Sequence, residues 1–98
     1  MKTQLQKRLV QFSAQIVSID QVFRPVFASR HLYMQMVRSS TSAALNYGEA
    51  QMAETRKDFI HKIGLVVKEL KETEVNLEVV EEVKLCKDPV LLQNLLME

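Results

Sequence analysis

The sequence predicts an all-α protein, an antiparallel up-down-up-down four-helix bundle with a fourth helix that is short or truncated. Three observations carry that prediction. Long segments repeat apolar residues at alternating spacings of four and three, the period of a helix face buried against neighbouring helices. Two glycines and two prolines in 98 residues are too little turn chemistry for a sandwich or barrel of many short strands. Hydrophobic residues at 47% and charged residues at 26% place the chain among globular proteins, and its length suits one domain spanning residues 1–98.

In the first helix, expected over about 3–23, Leu5, Leu9, Phe12, Ile16, Ile19 and Phe23 form the buried stripe, which Val10, Val17 and Val22 widen. Pro25 resists continuation and biases Arg24 away from helical geometry, so a short connection follows. Ser29 then offers a cap for a second helix over 29–51. Thr55 and Asp58 have the layout of a capping box opening a third helix over 55–83. Its stripe is Phe59, Ile63, Val66, Leu70, Thr73, Leu77 and Val80. Gly64 interrupts that helix at a cost of about 1 kcal/mol relative to alanine, which a close helix contact would explain. Asp88-Pro89 starts the fourth helix, 89–98, because Asp caps and Pro is tolerated at the first helical position.

The stretch from Arg38 to Ala50 departs from this pattern. Four consecutive hydroxyl residues, Ser39 to Ser42, compete for backbone hydrogen bonds and predict a local irregularity in the second helix. Small side chains also let a facing helix approach closely. Asn46 and Glu49 lie about one turn apart in this setting and need hydrogen-bond partners, for which Arg38, Ser42 and Thr73 are candidates. These five residues form the expected polar network or interface. Such a network sets the register of a helical assembly, whereas a substrate site would need a nucleophile with an adjacent base, which the stretch lacks. No catalytic residue and no cofactor are expected.

Charge is unevenly divided. Residues 1–48 carry six Lys/Arg against one Asp, and residues 49–98 carry seven against eleven Asp/Glu, giving +5 and −4. Complementary packing of the two halves accounts for this; a nucleic-acid surface built from Lys2, Lys7, Arg8, Arg24, Arg30 and Arg38 is the alternative. Cys86 stands alone, which excludes an internal disulfide and an all-cysteine metal site and fits a reducing cytoplasm. No window approaches the roughly 20 apolar residues of a membrane span, so no membrane partner is expected. Asp58 and His61, three residues apart on one helix face, resemble half of a carboxylate-bridged metal motif, and no second half accompanies them. No metal site is therefore expected.

The ordered set Arg38-Ser39-x-x-Ser42-x-x-x-Asn46-Tyr47-x-Glu49-Ala50, then Asp58-Phe59-Ile60, then Glu69-x-x-Glu72-Thr73-x-x-x-Leu77, resembles a bacterial four-helix-bundle family. That family comprises proteins encoded within intervening sequences of 23S ribosomal RNA genes, sometimes labelled ribosomal, and is related to the accessory variability proteins of diversity-generating retroelements. The resemblance implies a homo-oligomer, a ring of five with a central pore. In the accessory branch it further implies binding of a reverse transcriptase and nucleic acid through a basic surface. This chain departs from that branch in its near-balanced charge and in the acidic residues Glu69, Glu72, Glu74, Glu78, Glu81 and Glu82 of helix three. The expected function is a non-enzymatic assembly or adaptor module for rRNA or another ribonucleoprotein, with direct nucleic-acid binding as the alternative and a small metalloenzyme behind both.

Overall fold

The computed structural model describes residues 3–20 and 23–96, and holds four helices, α1 (Gln4–Ser18), α2 (Phe27–Gln51), α3 (Arg56–Glu82) and α4 (Pro89–Leu96). No strand occurs among the described residues; one isolated antiparallel bridge joins Phe23 to Cys86. Three helices begin with a side-chain oxygen on a free amide. Thr3 accepts from the Gln6 N–H at 3.0 Å, Thr55 from Asp58 at 3.1 Å and Asp88 from Leu91 at 3.1 Å. α2 has no such cap, because it starts at Phe27 with Val26 in the cap position. Ser29 therefore lies inside the first turn and does not cap it.

α1 ends at Ser18, with Ile19 as its cap, and Gln21 and Val22 lie outside the described residues. Phe23 still reaches the core, because the chain bends back and pairs with Cys86. α2 runs unbroken through its hydroxyl run, against the irregularity that the sequence suggested. The Thr41 hydroxyl donates to the Val37 carbonyl at 2.7 Å, a bond within the helix that leaves the main-chain ladder intact. α3 ends in a tight turn. Lys84 takes φ +57°, its N–H donates to the Glu81 carbonyl at 3.2 Å, and the Leu85 N–H reaches the Val80 carbonyl at 3.1 Å. That pair of bonds is the Schellman arrangement, accompanied by Leu85 and Val80 in the same apolar cluster.

The helices pack in chain order, α1 on α2, α2 on α3 and α3 on α4. Cross-helix bonds fix the direction. Along α2 from Arg38 to Glu49 the α3 partners fall from Glu72 to Lys62, and from Tyr33 to Ser40 to Tyr47 the α1 partners fall from Val17 to Ser13 to Thr3. Both pairs are antiparallel. The molecule is elongated, 44 × 21 × 18 Å. Its larger core cluster, around Ile16, Met36, Leu77, Val80 and Leu92, lies at the end covered by α4. A smaller one, Leu9, Ala43 and Val66, serves the other end, and Leu5 at the start of the α1 stripe stays 46% exposed.

Candidate functional site

Between the two apolar clusters lies a buried polar layer made by three helices. The Ser13 hydroxyl of α1 donates to the Ser40 carbonyl at 2.7 Å, and the Ser39 and Thr73 hydroxyls of α2 and α3 meet at 2.6 Å. Thr73 also donates to the Glu69 carbonyl at 3.1 Å. All four side chains are buried, and Ala43 one turn on is fully so. Small side chains are what the site demands: with Ser or Ala at 39, 40 and 43, α2 meets both neighbours without a large residue between them. Each hydroxyl is bonded to protein, which removes most of the penalty for burying it.

Of the five residues expected to form a network, Thr73 belongs to this layer. The others lie apart from it, and among them only Asn46 and Ser42 are joined by a hydrogen bond. Arg38 Nη2 pairs with Glu72 Oε2 at 3.2 Å on the surface, and Lys62 Nζ pairs with Glu49 Oε1 at 2.6 Å near the far end of α2. Asn46 is half-buried and donates from Nδ2 to the Ser42 carbonyl of its own helix at 2.9 Å. The sequence singles out Ser39 and Ser40 as part of the small hydroxyl run, not as members of the network, and does not single out Ser13. Ser13 had a readable signal, since it follows Leu9 by four residues and so falls on the buried stripe of α1.

The basic residues divide as well. Lys2 lies outside the described residues; Lys7 and Arg8 are exposed on α1, and Arg38 is engaged by Glu72. Arg24 and Arg30 come together at the corner between α1 and α2, where Lys87 joins them from the α3–α4 connection. That corner is clamped. Arg24 Nε donates to the Lys84 carbonyl at 2.8 Å and the Arg24 N–H to the Leu85 carbonyl at 2.8 Å, fixing the connection before α2 to the turn after α3. Tyr33 packs edge-on against Phe23 with ring centroids 5.9 Å apart, and its hydroxyl donates to the Val17 carbonyl. Burial, with Asp20 as a second influence, raises the Tyr33 pKa above its ordinary 10.0.

Asp58 and His61 are exposed on α3, and no three His, Cys, Asp or Glu side chains converge on a common point among the described residues. Cys86 is buried, with its thiol directed to the Asp88 carbonyl at 3.3 Å. No helix among the described residues is long and apolar enough to cross a membrane.

Neither a curated protein nor a solved structure matches the chain significantly. The model of the family described as 23S rRNA-intervening sequence protein matches residues 1–96. That span takes in all four helices, the polar layer and the basic corner, and the chain belongs to the 23S rRNA-intervening sequence protein family.

Proposed function

We propose that the protein is a non-enzymatic, self-associating helical module of the bacterial cytoplasm, an assembly or adaptor unit for rRNA or another ribonucleoprotein. The observation that carries this reading is the number of large apolar side chains left in solvent on α2 and α3. Leu45, Met52, Ile60 and Val67 are 67%, 82%, 58% and 61% exposed. Apolar side chains left in solvent mark a surface for a partner where they adjoin, and a second copy is a partner always present at matched concentration. The resemblance to bundles that form rings of five makes a pentamer the proposed state.

Arg38, Ser42, Asn46, Glu49 and Thr73 serve register in this proposal, with Asn46 and Glu49 on the part of α2 away from α4. The Asn46 Nδ2 is used within α2, which leaves its amide oxygen available to a neighbouring copy. Replacing Asn46 with Leu is expected to change the assembly mass measured by light scattering, while the 11.3 kDa chain remains folded. Unchanged mass together with unchanged thermal stability would count against the role of Asn46.

Direct nucleic-acid contact is the second reading, favoured by one observation, the gathering of Arg24, Arg30 and Lys87 around a single cleft. Binding that weakens steeply with added salt in a gel-shift series would support it. Absence of a shift at low salt would remove it.

A further inference from the structure

The basic corner contains a polar group that the fold leaves without a partner. Ser29 is 3% exposed, lines the cleft, and its hydroxyl makes no hydrogen bond among the described residues. A hydroxyl buried and unpaired is unfavourable unless something outside the chain satisfies it. Ser29 is also in the first turn of α2, a 25-residue helix with no side-chain cap and no acidic residue in that turn. The first helical bond is Arg30 N–H to the Val26 carbonyl at 3.3 Å, so the amides of Phe27, Ala28 and Ser29 have no acceptor on the helix. Unsatisfied N–H groups at the positive end of a helix form a site for an anion.

The side chains around this opening agree in sign. Arg24, Arg30 and Lys87 are exposed at the cleft, and Asp20 is the one carboxylate lining it among the described residues. Arg24 is held by its Nε bond to the Lys84 carbonyl, which leaves the terminal guanidinium nitrogens as donors. At the mouth Phe27 is 83% exposed, an energetically poor place for a phenyl ring, and it lies parallel to the His31 imidazole with centroids 6.3 Å apart. A flat aromatic face beside an anion site matches a nucleotide, whose base stacks where its phosphate is held.

We propose that the cleft at the start of α2 binds a phosphate group of single-stranded RNA. Ser29 and the free amides donate to the phosphate oxygens, Arg24, Arg30 and Lys87 neutralise its charge, and Phe27 stacks on the adjacent base. The choice of RNA as the phosphate source rests on the ribonucleoprotein reading above; the oxyanion site itself rests on the geometry alone.

Fluorescence anisotropy with a short labelled single-stranded RNA tests the proposal. The unaltered chain is expected to bind at low salt, and the Arg30→Gln/Lys87→Gln pair to bind roughly tenfold more weakly with a salt slope shallower by about 0.7 per lost phosphate contact. Ser29→Ala is expected to weaken binding without lowering Tm, since it removes a hydroxyl that the free protein leaves unpaired. Phe27→Ala should weaken RNA binding and leave the response to inorganic phosphate unchanged. Lys57→Gln/Lys68→Gln on α3, exposed and outside the cleft, should bind within about twofold of the unaltered chain. RNA affinity untouched by the Arg30/Lys87 pair would overturn the proposal, as would no RNA binding at low salt. A Tm raised by inorganic phosphate without RNA binding would keep the oxyanion site and overturn RNA as its source. Light scattering on the same samples reads self-association independently, so failure of this site and failure of the assembly reading give different results.

Discussion

The hydroxyl pair between Ser39 and Thr73 is the most buried polar contact between helices, and single substitutions there have a defined asymmetry. Thr73→Val keeps the side chain's shape but strips Ser39 of its 2.6 Å partner, at a cost of about 1–3 kcal/mol in urea unfolding. Adding Ser39→Ala removes the hydroxyl then left with only the long 3.4 Å bond to the Met36 carbonyl and should recover a good part of that loss, a coupling that a double-mutant cycle measures directly. Tyr33 gives a pH signature. Its folded pKa lies above 10.0, so its contribution is complete below the unfolded value and is lost as pH rises through the folded one. The chain should lose stability in alkaline solution, and Tyr33→Phe should flatten that loss while lowering stability at neutral pH. Thermal melts from pH 8 upward check both arms. Thr73 was legible as a candidate because it occupies an apolar position in an otherwise regular stripe. Its partner was not: pairing depends on which of four adjacent hydroxyl residues faces α3, and a one-residue change in that position rotates the face by about 100°.

At the scale of elements, the signals that could be read were local ones. Thr55 and Asp88 cap the helices that follow them because an oxygen two or three residues ahead of a free amide needs no tertiary information. The end of α1 was hidden, since Phe23 continues the apolar spacing and yet enters the core from a bend. Gly64 also reads differently in the structure. A Cβ built there meets nothing within 4 Å, so no close helix contact explains the glycine. Gly64→Ala should therefore stabilise the chain by about 1 kcal/mol, the ordinary helix-propensity difference at an exposed interior position. Loss of stability instead would reveal a neighbour packed against that face in the assembled protein. Lys84, held at φ +57° where glycine is favoured, predicts a second gain: Lys84→Gly should raise stability by up to about 1 kcal/mol while keeping its carbonyl for Arg24.

The whole molecule has two unlike ends separated by the buried polar layer. At one, α4 and the larger core support a basic corner around the start of α2; at the other, where α4 does not reach, the core is the smaller cluster of Leu9, Ala43 and Val66. Composition gave the helical class and the uneven charge, but only the antiparallel packing shows that Arg24 and Arg30 join Lys87, which comes from the acidic half of the sequence. The division suits an adaptor, with self-association at the end that α4 leaves open and a phosphate-bearing partner at the basic one. The most direct test is sedimentation velocity on the unaltered chain beside Leu45→Glu/Val67→Glu, both positions being exposed enough for the single chain to keep its fold. The account predicts a multiple of 11.3 kDa for the unaltered chain and single chains with undiminished helicity for the variant. An unaltered protein that remains a single chain at every concentration, or a variant that assembles as the unaltered one does, would contradict it.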